Sequence, residues 1–156
     1  MLKLSKLTDY GIVLLAQMAK QPRSTLFSAR ALSESTGVPF PTVEKLMKQM
    51  LRADLLRSKR GARGGYMLAR SPESVSLAHI IDTMQGSIAL TECTDSTNSI
   101  CDVVECCGIR DHWPIINGAV RAALSAVSLR DLAANVEAPL STFSAAHSDA
   151  GPTPEA

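Results

Sequence analysis

The stretch SARALSESTGVPFPTVEKLMKQM, residues 28–50, decides the fold of this 156-residue chain. Ser28 can cap a first short helix, and a Gly-Val-Pro turn separates that helix from a second. In the first helix, Ala31 and Leu32 are expected to face inward. The second helix runs from about Pro41 to Ala53 and carries one apolar stripe, formed by Val43, Leu46, Met47 and Met50. Two short helices joined by a glycine-containing turn predict a helix-turn-helix.

The sequence LLRSKRGARGGYMLA, residues 55–69, follows directly and predicts a β-hairpin. Two short strands flank a tip from Gly61 to Gly64, where glycine permits the backbone conformations of a tight turn. Arg60 and Arg63 place positive charge at this tip. A basic hairpin that follows a helix-turn-helix indicates the wing of a winged helix.

Helical patterns flank this unit on both sides. A helix from Lys6 to Lys20 precedes it, and a helix from Leu77 to Gln85, capped by Ser76, follows it. A longer helix from Asp111 to Val127 carries an apolar band that needs a partner, and a short final helix is capped by Ser128. The sequence therefore predicts a mainly α fold with a small β wing.

Charge is divided unevenly along the chain, although the net charge is only +1. Residues 1–70 hold 13 Lys and Arg residues against four Asp and Glu residues, a balance of +9, whereas the rest of the chain has a balance of −8. Such asymmetry favours a polyanion-binding N-terminal part. Together with the basic wing, it indicates double-stranded DNA as the partner.

The second helix of a helix-turn-helix lies in the major groove, with its N-terminal residues at the base edges. Glutamate can accept a hydrogen bond from the cytosine amino group, threonine can contact the thymine methyl group, and lysine reaches phosphate or guanine. The exposed positions of this helix carry these residue types. The expected DNA-contacting residues are Ser28, Thr42, Glu44, Lys45, Lys48, Arg60 and Arg63.

Several classes of protein are excluded by the sequence. No run of 18 apolar residues is present, and the N-terminus has no signal-peptide pattern, so we expect a cytoplasmic protein without membrane contact. The chain contains no Gly-x-Ser-x-Gly motif, phosphate loop or dinucleotide fingerprint. We therefore do not expect an enzyme.

All four cysteines, Cys93, Cys101, Cys106 and Cys107, lie within 15 residues. In a reducing cytosol such a cluster favours metal or redox chemistry over disulfides. The stretch lacks the Cys-x2-Cys pair of zinc fingers. Its spacing leaves open an iron-sulfur cluster, a zinc ion or a simple thiol sensor. His112, five residues after Cys107, is a candidate fourth ligand.

This combination resembles the winged-helix family of bacterial repressors that contains the regulators of the Isc and Suf iron-sulfur assembly operons and the nitric-oxide-sensing repressor. The resemblance covers residues 1–136. It is carried by a three-cysteine loop and by the motifs Leu7-Thr-Asp-Tyr-Gly11, Val43-Glu-Lys-Leu46 and Arg60-Gly-Ala-Arg-Gly-Gly-Tyr66. The segments Trp113-Pro-Ile-Ile-Asn117 and Val127-Ser-Leu-Arg-Asp-Leu132 are most similar to the Suf branch.

The resemblance implies a homodimer whose long C-terminal helices cross. It also implies an iron-sulfur cluster, 2Fe-2S or 4Fe-4S, held by three cysteines of one subunit, which match Cys93, Cys101 and Cys107. Cys106 has no counterpart. Asp9 matches the aspartate that the nitric-oxide sensor supplies across its dimer and is the first candidate for the fourth ligand, with His112 second. Base-contacting positions of the family match Glu44 and Arg60, with Thr42 beside them.

Four regions follow from these patterns. They are a winged helix-turn-helix domain at 1–86, a cysteine cluster-binding loop at 87–109, a dimerisation helix with a short C-terminal helix at 110–136, and a disordered tail at 137–156. The expected function is repression of iron-sulfur assembly genes, tuned by cluster supply. The alternatives are a cluster-free thiol-redox or zinc-binding regulator and, in a different class, an iron-sulfur carrier protein.

Overall fold

The computed structural model describes residues 3–95, 101 and 106–134. These residues form, in chain order, the helices and strands α1 (Lys6–Ala19), α2 (Ala29–Thr36), α3 (Phe40–Arg52), β1 (Leu56–Lys59), β2 (Gly65–Leu68), α4 (Leu77–Gln85), α5 (Trp113–Ser125) and α6 (Leu129–Ala133). Short 3₁₀ turns occupy Pro72–Ser74, Glu92–Thr94 and Arg110–His112. The tail that the sequence predicts to be disordered, 137–156, lies outside the described residues.

Serine side chains begin four of the helices. In each, the hydroxyl oxygen accepts a hydrogen bond from the backbone N–H three residues later, at 3.0–3.2 Å. This bond satisfies one of the N–H groups that the first turn of a helix leaves without a partner. The capping residues are Ser5 of α1, Ser28 of α2, Ser76 of α4 and Ser128 of α6.

The main apolar core lies where α3 packs against α1 and α4. The stripe predicted for the second helix of the helix-turn-helix is fully buried, each of its four side chains having no exposed surface: Val43, Leu46, Met47 and Met50. Leu32 of α2 is equally buried, but Ala31 is exposed, so the prediction that Ala31 faces inward is wrong. Neighbouring side chains on a helix point about 100° apart, so Ala31 points away from the core when Leu32 points into it.

The wing is a two-stranded antiparallel sheet whose register pairs Leu56 with Leu68 and Lys59 with Gly65. A β-bridge joins it to Phe27, two residues before α2, because Phe27 and Tyr66 exchange two backbone hydrogen bonds of 2.8 Å. Gly65 lies so close to this bridge that an added Cβ would be 2.8 Å from the Phe27 carbonyl oxygen. The wing therefore has a fixed position relative to the helix-turn-helix.

The long C-terminal helix is shorter than the sequence predicts. The α-helix begins at Trp113, after the 3₁₀ turn, because Pro114 is tolerated only in the first turn of a helix. It ends at Ser125, since the chain must then extend so that the Val127 carbonyl accepts the N–H of Leu77 at 2.8 Å. This extended segment forms the bridge between Ser76 and Ser128.

Glu73 joins the 3₁₀ turn Pro72–Ser74 to α6. Its carboxylate accepts hydrogen bonds of 2.8 Å from Arg130 Nε and from the Ser71 hydroxyl. Hydrogen bonds from its own backbone N–H, from Arg130 and from Ser71 lower the pKa of Glu73 from 4.5 to about 2.

We expect Glu73→Gln to lower the melting temperature near neutral pH and to have a progressively smaller effect as the pH falls from 4.5 through about 2. A carboxyl group whose pKa is lower in the folded state stabilises the fold above its unfolded pKa, 4.5, and loses this effect as the pH falls to about 2. Circular dichroism melts of variant and wild type across this range test it. Glu34→Gln, at an exposed position of α2, is the matched control. A difference in melting temperature that is the same at neutral pH and at pH 2 would contradict the assignment.

Candidate nucleic-acid interface

Helix α3 exposes the face opposite its buried stripe. Glu44, Lys45 and Lys48 are exposed on it, and Thr42 is half-buried in its first turn. Because the other face is locked into the core, these side chains can point only away from the domain. The structure thus places all four predicted residues of α3 on one accessible face.

Arg60 and Arg63 are both exposed at the wing tip. The N–H of Gly64 donates to the carbonyl of Gly61 at 2.9 Å and closes the turn between the strands. A Cβ added at Gly64 would be 2.2 Å from the Lys59 carbonyl oxygen, so the tip needs glycine at this position. The tight turn thus places both exposed arginines at the end of the wing.

Ser28 lies exposed at the N-terminus of α2. Its hydroxyl oxygen accepts the N–H of Ala31 at 3.0 Å, which leaves the O–H able to donate to a phosphate oxygen. The first turn of α2 also contains Arg30, whose guanidinium lies 5.3 Å from the centre of the Phe40 ring at the start of α3. Arg30 is not among the DNA-contacting residues expected from the sequence, although a basic residue at the start of the first helix of a helix-turn-helix is a usable signal.

Two further basic residues were missed on the wing. Arg57 and Lys59 are exposed on β1, and both lie on the face opposite the buried Leu56, because side chains alternate along a strand. The period-two spacing of these two cations was the available signal. They extend the positive charge of the wing from its tip along one strand.

The positive charges of this face are not neutralised within the described part of the chain. There the ion pairs are Arg70–Asp54, Arg121–Asp82 and Arg130–Glu73. None of them includes a basic residue of α3 or of the wing. The face formed by α3 and the wing, which we call the basic face, can therefore attract a polyanion.

The cysteines lie between the winged domain and α5. Cys93 is half-buried in the turn Glu92–Thr94, and its sulfur is 3.1 Å from Thr91 Oγ1. Cys101 and Cys107 are half-buried as well, and Cys106 is exposed. All four are free thiols. Iron-sulfur clusters are held by up to four cysteine thiolates, so the number and type of these side chains suit such a cluster.

The residues predicted to ligate metal are not gathered into one site. Across residues 3–95, 101 and 106–134, no three His, Cys, Asp or Glu side chains form a group that could hold a metal ion. Asp9 is exposed in the first turn of α1, and His112 is exposed in the turn before α5. The ligand set of Cys93, Cys101 and Cys107 with either residue stays a prediction.

Helix α5 has two different faces. Leu124 packs toward Ala78, Ile81 and Ile88, which form a small second apolar cluster beside α4. No residue of α5 is fully buried, and 72% of Ile115 and 44% of Ile116 is exposed. An apolar surface thus lies open on the side of the helix away from α4.

None of the helices described has both the length and the apolar composition needed to cross a membrane.

Comparison with known proteins links the chain to one family. The sequence profile of the Rrf2 family, described as iron-dependent transcriptional regulator, matches residues 4–135. Over 87 residues the chain is 34% identical to the putative HTH-type transcriptional regulator slr0846 of Synechocystis, a match that spans 56% of this chain and 59% of that protein. Over 132 residues it is 26% identical to the HTH-type transcriptional regulator CymR of Bacillus subtilis, spanning 85% and 90% of the two chains.

Solved structures show the same fold. CymR of B. subtilis, described as its global cysteine regulator, is similar with a TM-score of 0.68 and 28% identity, over 85% of this chain and 97% of that one. IscR of T. potens is similar with a TM-score of 0.62 and 26% identity, over 84% and 85%. The similarity to CymR confirms the predicted fold class. Both sequence relatives named above are transcriptional regulators and not enzymes, which agrees with the expectation that the chain is not an enzyme.

We expect Gly64→Ala to weaken binding to double-stranded DNA by about tenfold, equivalent to about 1.4 kcal/mol. The added methyl group would collide with the Lys59 carbonyl, so the tip must open and displace Arg60 and Arg63. Fluorescence anisotropy would measure affinity for a duplex that the wild type selects from a random-sequence pool, hereafter the selected duplex. Ala62→Ser, at an exposed position of the same tip, should bind like wild type. Equal affinities for the Gly64 variant and wild type would exclude a wing contact.

Proposed function

The chain belongs to the Rrf2 family of transcriptional regulators, and from this we propose that it is a repressor whose affinity for operator DNA depends on an iron-sulfur cluster held by its cysteines. One observation carries the proposal: three half-buried free thiols, Cys93, Cys101 and Cys107, lie between the winged domain and α5. A change at these thiols acts on the connection between the basic face and α5. The proposed targets are iron-sulfur assembly genes.

The basic face would bind the operator. Helix α3 enters the major groove, where Thr42, Glu44 and Lys45 are nearest the base edges and Lys48 contacts phosphate. Arg60 and Arg63 reach the adjacent backbone or groove from the wing tip. The exposure of these residues and the absence of ion pairs on the basic face, within the residues described, support this arrangement.

A homodimer would form through the apolar side of α5. Pairing two copies of this helix removes Ile115 and Ile116 from water, which stabilises association in proportion to the apolar area buried. It also places two copies of α3 on one duplex, so that they meet half-sites about one helical turn apart. The exposure of these isoleucines in the single chain supports the proposal.

Cys93, Cys101 and Cys107 would hold the cluster, with Asp9 of the partner subunit or His112 as the fourth ligand. When bound, the cluster supplies a bridge between thiolates that oxidation or iron shortage removes. Each thiol brings a different part of the chain to this bridge: Cys93 follows α4, and Cys107 precedes α5. The chain's own contribution is to hold these thiols half-buried, which limits access of water to them.

A second candidate is a cluster-free thiol regulator. CymR, a relative with the same fold, is described as a cysteine regulator, and Cys106 is an exposed thiol beside Cys107. Exposed thiols are the ones that oxidants reach first. A zinc-binding regulator would use the same donors. The reading as an iron-sulfur carrier has lost support, because the relatives found by sequence are transcriptional regulators.

Replacement of Cys93, Cys101 and Cys107 by Ala together should abolish the response of DNA binding to iron and sulfide. For the wild type, we expect anaerobic loading with ferrous iron and sulfide to change affinity for the selected duplex by about tenfold. The triple variant should stay colourless and keep a single affinity. Cys106→Ala is the matched control and should respond like wild type. If the wild type took up no iron, and peroxide changed its DNA affinity in a way that Cys106→Ala removed, the thiol regulator would replace the proposal.

Ile116→Asp should convert the dimer into monomers, because a buried carboxylate at an apolar interface carries a large desolvation cost. Sedimentation velocity measures the change, and affinity for the selected duplex should fall with it. Ser125→Asp is the control, since Ser125 lies nine residues from Ile116 and so about half a turn around the helix. A dimer that survives Ile116→Asp together with Ile115→Asp would exclude this interface.

A further inference from the structure

Helix α5 is held to the segment that follows α4 by hydrogen bonds from Asn117. Its Oδ1 accepts the backbone N–H of Leu90 at 3.0 Å, and its Nδ2 donates to the Ile88 carbonyl at 3.0 Å. Both bonds satisfy backbone groups of the segment that follows α4. One side chain of α5 thus fixes residues 88–90 to the helix.

Asp82 of α4 strengthens the same junction. Its carboxylate accepts two hydrogen bonds from the Arg121 guanidinium, one of them at 3.0 Å, and the Ile88 N–H at 3.2 Å. The pair raises the pKa of Arg121, chiefly through the hydrogen bond to Asp82. We call Asp82, Asn117 and Arg121 the α4–α5 latch.

The latch joins the two chain segments that flank the cysteine stretch. Cys93 comes three residues after Leu90, and Cys107 comes six residues before the first residue of α5. Bonding of both cysteines to one group would draw together the same two segments that Asn117 joins. At the other end of α5, backbone bonds of 2.7–2.8 Å join residues 75–77 to 127–129, and this end is not part of the latch.

The last turn of α4 connects the latch to the basic face. Gln49 of α3 donates from Nε2 to the Met84 carbonyl at 3.0 Å. The Gln85 side chain accepts the N–H of Ser5 at 3.0 Å and the hydroxyl of Thr8 at 2.9 Å. A shift of this turn would therefore move α3 and α1 together.

The polar character of the latch allows it to open and close. Arg121 is 46% exposed and Asp82 24%, so water can replace the hydrogen bonds that opening breaks. The buried stripe of α3 has no such substitute, and separating it from the core would unfold the domain. The junction can therefore change while the core around α3 stays intact.

We infer that Asn117 is a positioning residue: through the latch, it sets the cysteine segment relative to α3, so that changes at the cysteines reach the operator by way of the last turn of α4. This rests on the proposed function. Energetic coupling between two sites needs an element whose equilibrium both sites can shift, and in this inference the latch is that element, closed as described above and open when water replaces its hydrogen bonds.

The test compares Asn117→Ala, Asn117→Asp and wild type. For each, the affinity for the selected duplex is measured with and without anaerobic loading by ferrous iron and sulfide, and the ratio of the two affinities is the coupling. We expect Asn117→Ala to reduce the coupling at least about fivefold. Asn117→Asp keeps the acceptor for Leu90 but loses the donor to Ile88, so it should be intermediate. Ser125→Ala, at an exposed position of the same helix, should match wild type.

Two further measurements separate a local effect from a general loss of structure. The Leu90 amide should exchange with deuterium faster in Asn117→Ala, while amides of α3 keep their protection. Trp113, the single tryptophan, lies at the start of α5, so its fluorescence should shift in the same variant. If Asn117→Ala does not fold, Arg121→Lys, which keeps the charge but loses the two-bond contact with Asp82, should reduce the coupling in its place.

The outcomes distinguish the two proposals. Wild-type coupling of about tenfold that persists in Asn117→Ala, despite fast exchange at Leu90, overturns the latch and leaves the proposed function standing. If loading leaves the DNA affinity of the wild type unchanged, so that the coupling is one, both the latch and the proposed function are overturned. Reduced coupling in Asn117→Ala with an intermediate value in Asn117→Asp supports the inference.

Discussion

Complete burial of one side of α3 is the constraint on which the rest of the structure depends. Val43, Leu46, Met47 and Met50 have no exposed surface, and they fill the space between α1, α4 and the first strand of the wing. A helix fixed in this way has only one possible exposed face. The orientation of Glu44, Lys45 and Lys48 toward solvent follows from the packing of their neighbours, and so does the position of the wing that continues from α3.

Local signals explain what could be predicted from the sequence. A capping serine and an apolar stripe act over three to seven residues, so the helix starts at Ser28 and Ser76 and the buried face of α3 are visible without a structure. Predictions failed where contacts with a distant segment of the chain determine burial or the end of a helix. Ala31 is exposed because only one direction of α2 meets the core, and α5 ends early because residue 127 pairs with residue 77.

The same difference between local and distant signals separates the residues of the candidate site that were predicted from those that were not. Exposed cations of α3 and the wing tip were predicted, because charge and turn glycines are local. Arg30, Arg57 and Lys59 were missed, since their contribution depends on which surface α2 and β1 turn outward. Spacing alone does not decide whether Cys93, Cys101 and Cys107 bind one group, because that depends on the path of the chain between them and on any ligand from a second chain.

Helix α5 combines two kinds of contact that differ in strength. Its apolar side can bury Ile115 and Ile116 against a second copy, whereas its other side meets α4 through a few polar groups and Leu124. Hydrogen bonds at a partly exposed site contribute little net stability, because water makes equivalent bonds when they break. A pair of α5 helices could therefore shift against the winged domains while both the dimer and the core of each domain stay intact. Cys93 follows one side of this junction and Cys107 precedes the other, so the proposed chemistry at the thiols would act on a contact that can change without loss of either apolar core.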